Sequence, residues 1–232
     1  MARSVVCSSG GGTPRLGRRQ AIALAGSGML ALGLVNRATA AAPADIQLKV
    51  YRKGSPIGTH VIRFSQTGGT LKVASQVDLR VKVAFITVYS YRQTSNDDWE
   101  DEVLVRSRIQ TNDDGKETSV QAEARDGQLA VEGPAGSYTT GLGAMTDISF
   151  WNEAITRGPA LVDSQSAELI KIQVEAATRE RIEVRGQPVD ARRFAMTGTK
   201  GRSGTVWYDD AGSLVKAVVI TRGETLGYGL AA

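Results

Sequence analysis

The sequence predicts an all-β domain: one large curved antiparallel sheet, half-barrel or barrel-like, with a single short helical insertion. Three observations carry this. From Val50 to Leu230 apolar residues recur at period two far more than at helical period. Gly-containing turn signals separate these runs at short, regular spacing. About ten or more strands in one antiparallel sheet cannot stay flat, so a curled half-barrel is expected first and a closed barrel second.

The elements follow in chain order. Residues 1–40 read as a cleaved export signal. Basic residues lead to Arg18-Arg19, the apolar stretch Ala21–Val35 follows, and Ala38-Thr39-Ala40 offers small residues for cleavage after Ala40. A transmembrane helix needs about 20 apolar residues, more than this stretch supplies. The lone cysteine, Cys7, lies ahead of it and cannot be a lipidation point. The paired arginines point to the twin-arginine route, and thus to a periplasmic or secreted protein that meets the export machinery through its leader.

Removing the leader changes the charge argument. The whole chain has 28 basic and 24 acidic residues, and five of the basic ones (Arg3, Arg15, Arg18, Arg19, Arg37) lie in the leader, which has no acid. Residues 41–232 are therefore near neutral, which argues against a nucleic-acid partner. They also lack cysteine, so neither a disulfide nor a thiolate site is available to them.

Residues 41–232 form a single domain on this reading. Ile46–Tyr51 and Ile57–Phe64 flank the turn Lys53-Gly54-Ser55-Pro56. Leu71–Val83 is the clearest strand: Leu71, Val73, Val77, Leu79, Val81 and Val83 point one way and charged residues the other. At ~3.4 Å per residue it would run about 40 Å, so a bulge is expected at Ala84-Phe85, with the strand continuing through Tyr91. The acidic run Asp97 to Glu102 reads as a solvated turn. Val103–Thr111 and Thr118–Arg125 flank Asn112-Asp113-Asp114-Gly115, and Gln128–Glu132 follows Asp126-Gly127. The segment 133–165 is the insertion, with a helix start capped by Ser149 ahead of Phe150-Trp151 and a stop at Gly158-Pro159. Strands resume over Glu168–Glu175, Arg181–Arg185, Val189–Thr197, Gly204–Tyr208, Leu214–Arg222 and Thr225–Leu230.

Little in the chain spells chemistry. His60 is the only histidine; with a carboxylate it would make a general base. Neither a nucleophile-elbow serine nor a phosphate loop is present. Asp113-Asp114-Gly115 and Asp209-Asp210-Ala211-Gly212 sit where hairpins need Asp and Gly. The sequence therefore nominates no catalytic residue, metal ligand or cofactor. The candidate ligand-binding residues are His60, Phe85, Tyr89, Tyr91, Phe150 and Trp151, because polar-tipped aromatics suit a pocket that is apolar inside and wet at its rim. The leading expectation is non-enzymatic binding of an apolar small molecule or lipid, or of an envelope protein. The alternatives are an envelope hydrolase using His60 with a carboxylate, and a structural envelope protein without ligand.

Several motifs run through the domain in order: Val50-Tyr51-Arg52-x-Gly54-x-Pro56-Ile57-Gly58-x-His60, Phe85-Ile86-Thr87-Val88-Tyr89-x-Tyr91, Trp151-Asn152, Asp163-x-Gln165 and Trp207-Tyr208-Asp209-x-x-Gly212-x-Leu214. Together they resemble a domain-of-unknown-function family of exported bacterial proteins. The resemblance implies an all-β periplasmic domain without assigned chemistry. A looser similarity of layout, to the periplasmic lipoprotein-carrier half-barrels, implies fold and not function.

Overall fold

The computed structural model describes residues 42–231. The expected signal, with Arg18, Arg19, Ala38 and Ala40, lies outside the described residues. Thr39–Ala232 forms a compact unit of its own. Hydrophobic clusters among the described residues give it a core of its own, so it can fold as a unit.

Strands account for most of the described chain. They are β1 (Ile46–Arg52), β2 (Ser55–Thr67), β3 (Thr70–Val83), β4 (Ile86–Glu100), β5 (Val103–Asp113), β6 (Lys116–Arg125), β7 (Gln128–Gly133) and β8 (Gly136–Gly141). After the two-residue β9 (Met145–Thr146) come β10 (Ala160–Val162), β11 (Leu169–Val174), β12 (Thr178–Val184), β13 (Gln187–Gly198), β14 (Ser203–Tyr208), β15 (Leu214–Thr221) and β16 (Glu224–Leu230). The sheet order is β8-β7-β6-β5-β4-β3-β2-β1-β16-β15-β14-β13-β11-β10-β9, with β12 paired on β13 off that path. Pairing is antiparallel except between β9 and β10.

The expected half-barrel, and the barrel behind it, are both overturned. The sheet is open and not strongly curled: β8 and β9 end the ladder and do not pair with each other. Closure is one way to bury an apolar sheet face, and a covering segment is another. Here Phe150, Ile155, Leu161 and Val162, from the stretch after β8, join Leu48, Ile62 and Ile109 of the sheet in one buried cluster. Each fully buried Leu or Ile contributes about 1.5–3 kcal/mol. A second cluster, Ile182, Ala191, Trp207 and Val215, packs beside β12.

Three local expectations change. Ala84-Phe85 is a hairpin turn and not a bulge: Ala84 takes φ +55°, and Val83 pairs with Ile86. The long apolar run is thus folded in half, which its lack of Gly, Asn or Asp concealed. The acidic run is mostly strand. Only Asp101 and Glu102 turn, both at positive φ, while Asp97 and Trp99 are buried. The helix at Ser149 shrinks to a single 3-10 turn, Glu153–Thr156, capped by Asn152, whose Oδ1 accepts from the Ala154 N–H at 3.0 Å. The Ser149 hydroxyl instead meets that of Thr146 at 2.8 Å.

Candidate functional site

A cavity of about 560 Å³ lies between one face of the sheet and the segment that covers it. Its walls are apolar: Val77 and Leu79 of β3, Ile170 of β11, Val206 of β14, Val218 of β15 and Leu226 of β16. Ile148, Phe150 and Ile155 close it from the covering segment.

The sequence explains why β2 serves this wall. The β1–β2 register shifts between Val50 and Tyr51, leaving Ile57 as the extra residue of a bulge. Ile57 and His60 are three apart and would face opposite sides of an unbroken strand; the bulge lets both line the cavity. Gly58 sits between them because a Cβ there would fall on the Asp78 carbonyl. Close backbone approach of this kind demands glycine.

Four of the six candidate residues meet at this cavity: His60, Tyr89, Tyr91 and Phe150. Phe85 does not; it is 98% exposed at the β3–β4 turn. Trp151 does not either. It stacks edge-on against Phe64 at 4.9 Å and Trp99 at 5.4 Å, filling core beside the cavity.

His60 is buried, and its Nε2 lies 2.7 Å from the Ser75 hydroxyl. Phe150 and Tyr228 flank its ring edge-on. Burial lowers its pKa from 6.5 to about 4, so the imidazole stays neutral. Its Nδ1 is sealed from solvent and has no partner among the described residues. The hydrolase reading asked for His60 paired with a carboxylate at a cleft mouth. What His60 has is a buried serine that does not line the cavity. No group of three or more His, Cys, Asp or Glu residues that could hold a metal occurs among the described residues.

Polar residues outside the six candidates also ring the cavity. Arg202 reaches Asp147 at 3.1 Å and also pairs with the buried Asp163. The Asp163 carboxylate accepts from the Gln165 and Ser166 N–H groups, fixing the turn that places Ser164 and Gln165. Burial raises the Asp147 pKa, the Asp163 charge adds to that, and Ser164 and Arg202 oppose it. Arg222 donates to Asp113 at 2.6 Å and to Gln165 at 2.7 Å. Tyr89 donates to the same Asp113 at 2.7 Å; burial, then that carboxylate, raises its pKa. Arg52 pairs with Glu224 at 2.6 Å. Of this set, Arg52, Tyr89, Asp163 and Gln165 fall within the sequence motifs. The other pairs are long-range, as with Arg222 and Asp113, 109 residues apart.

Residues 48–231 match the family model of DUF6134, a domain of unknown function. The chain belongs to that family. Its DUF6134 fold is similar to a crystal structure described as a β-barrel-like protein of the DUF1849 domain of unknown function, from Brucella abortus. That likeness has a TM-score of 0.59 at 9% identity and covers 81% of this chain and 94% of the other. It shows shared fold alone. The curated proteins contain no match to the chain.

Proposed function

We propose that this DUF6134 domain is an exported, non-enzymatic binding protein that holds an apolar or amphipathic small molecule, such as a single acyl chain, in the cavity. One observation carries the reading: a space of about 560 Å³ walled mostly by aliphatic and aromatic side chains. Ligand cavities typically span about 300–1,000 Å³, with a mostly apolar lining and few polar groups. The arginines that line it, Arg52, Arg202 and Arg222, are each matched by a carboxylate. A ligand with a neutral or zwitterionic head therefore suits the rim better than a multiply charged anion. Export rests on Arg18-Arg19 and the small-residue site at Ala38–Ala40.

Native mass spectrometry of protein taken from the periplasm of its own host tests the reading, followed by displacement of a fluorescent fatty acid. Wild type is expected to carry, or take up, one acyl-chain ligand. Val218→Trp with Leu226→Trp fills the cavity and should weaken uptake about ten-fold or more. A folded protein that arrives empty and takes up no probe, or a filled variant that binds as well as wild type, refutes it.

A further inference from the structure

The β3–β4 hairpin runs past its neighbours. The last β2 residue paired with β3 is Gly58, opposite Leu79. The last β5 residue paired with β4 is Asp113, opposite Tyr91. Outward of these, Asp114 N–H still donates to Ser90 C=O at 2.8 Å, and Tyr89 reaches Asp113. Beyond that, Lys82–Thr87 and Val83–Ile86 pair only with each other. The result is a two-stranded prong about 10–14 Å long, at ~3.4 Å per residue. Its end is apolar: Phe85 is 98% exposed, Ile86 71% and Val83 63%, and Val88, nearer the root, is 52% exposed.

We infer that this prong inserts into the surface of a lipid bilayer containing anionic lipid, and that the cavity exchanges its ligand there. Docking stands on the prong alone; exchange rests on the cavity reading above. Three features favour a bilayer over another protein. The exposed tip offers roughly 500 Å² of side chain on a narrow hairpin, against about 800 Å² per partner in a standard protein interface. From Leu79 to Asn96 the chain has Arg80, Lys82 and Arg92 and no carboxylate. Asp78 at the base serves both Arg80 and Arg92, and Lys82 stands exposed among the apolar tip residues. A basic arm with an apolar end matches an anionic headgroup layer over hydrocarbon. Finally, Val81 and Val88, at the root of the prong, are themselves cavity wall. Apolar residues of the prong therefore reach the cavity wall.

The test uses the Thr39–Ala232 unit and vesicles of phosphatidylethanolamine mixed with phosphatidylglycerol. Wild type is expected to co-sediment, less so at high salt. Phe85→Ser with Ile86→Ser should weaken binding about ten-fold or more without changing the melting temperature, since both side chains are exposed. Phe85→Trp should emit at shorter wavelength on binding and be quenched by lipids brominated in their acyl chains. Val218→Trp with Leu226→Trp should still dock as wild type does while its ligand uptake falls about ten-fold or more. Docking that persists where even wild type takes up no acyl chain upholds the prong and removes the cavity reading alone. Equal vesicle binding by the serine variant, or a Phe85→Trp indole that stays in water on the vesicle, overturns the inference. So does wild type that ignores vesicles but self-associates through the tip, with the serine variant monomeric in sedimentation velocity.

Discussion

Two buried titratable groups, on strands two apart in the sheet, oppose each other in their effect on stability. Burial lowers the pKa of His60 from 6.5 to about 4. Burial raises that of Asp97 from 3.8 to about 7, with hydrogen bonds from Ser107 at 2.6 Å and Ser95 at 3.3 Å pulling the other way. Between roughly pH 4.5 and 6.5 the unfolded chain has a charged imidazole and a charged carboxylate, and the folded chain has both neutral. The two states then bind equal numbers of protons at these sites, so the pair adds almost no slope to stability against pH. Each group alone has a slope of about 1.4 kcal/mol per pH unit. His60, with its pKa depressed, loses stability as pH falls through this window. Asp97, with its pKa raised, loses stability as pH rises through it. His60→Gln should therefore leave a protein that weakens by about 2–3 kcal/mol from pH 4.5 to 6.5, relative to wild type. Asp97→Asn should strengthen by a similar amount over the same range, and the double variant should run parallel to wild type. The amide introduced by His60→Gln can still bond Ser75, and the one introduced by Asp97→Asn can still bond both serines; the cost of any amide group left unpaired does not vary with pH and drops out of the slope. Urea unfolding at a series of pH values reads this directly, and subtracting wild type cancels the exposed carboxylates common to all. An Asp97→Asn curve parallel to wild type would mean that the buried carboxyl does not titrate in this window, and would refute the compensation.

Packing supplies two further predictions. Gly58→Ala puts a methyl group on the Asp78 carbonyl between two paired strands; it should cost about 3 kcal/mol or more, read as a fall in urea midpoint, or prevent folding. Tyr208→Phe removes a buried 2.8 Å bond to the Phe150 carbonyl and leaves that acceptor unpaired, at about 1–3 kcal/mol by the same measurement. Because that bond holds the covering segment down on the sheet, the variant should also bind an acyl-chain probe more weakly, and unchanged affinity would separate the segment's anchoring from the cavity.

Strand positions were largely legible in the sequence because one sheet face is wet. In β3, Val73, Val77 and Leu79 are buried while Lys72, Gln76 and Arg80 are not, the alternation visible in the residues themselves. The turn at Ala84-Phe85 was not legible. A hairpin there needs a residue at positive φ, and alanine gives no sign of providing it. Nor was the burial of Asp97, since a carboxylate within an acidic run reads as solvated until its two serine partners, one of them ten residues on, are brought beside it. The aromatic set was half-legible for a related reason. Tyr89 and Tyr91 share a face with the cavity, but Phe85 sits past the point where the sheet ends, and a sequence does not show where a neighbouring strand stops. Sheet openness is a tertiary outcome of the same kind. It depends on whether a loop or the sheet itself covers the apolar face, and both solutions use the same alternating strands.

The inward row of β4 explains how an apolar cavity can coexist with a polar interior. Reading from the cavity end, it runs Tyr91, Gln93, Ser95, Asp97, Trp99. Gln93 donates to Thr111 at 2.9 Å and to Ser164 at 3.1 Å, so it ties β4 to β5 and to the covering segment at once. It lines the cavity with Ser164, whereas Ser95 and Asp97 beyond it do not. The amide is thus a floor: an apolar chain entering past Tyr91 and Leu79 meets a hydrogen-bonded group that it cannot satisfy and cannot displace without orphaning Thr111 and Ser164. Below the floor, the Ser95–Asp97–Ser107 cluster is internally bonded and offers a ligand nothing. On the binding reading proposed above, Gln93 sets how deep a ligand goes, and Gln93→Leu should admit a longer acyl chain than wild type accepts. A displacement series over chain length checks this, and an unchanged preferred length would place the floor elsewhere.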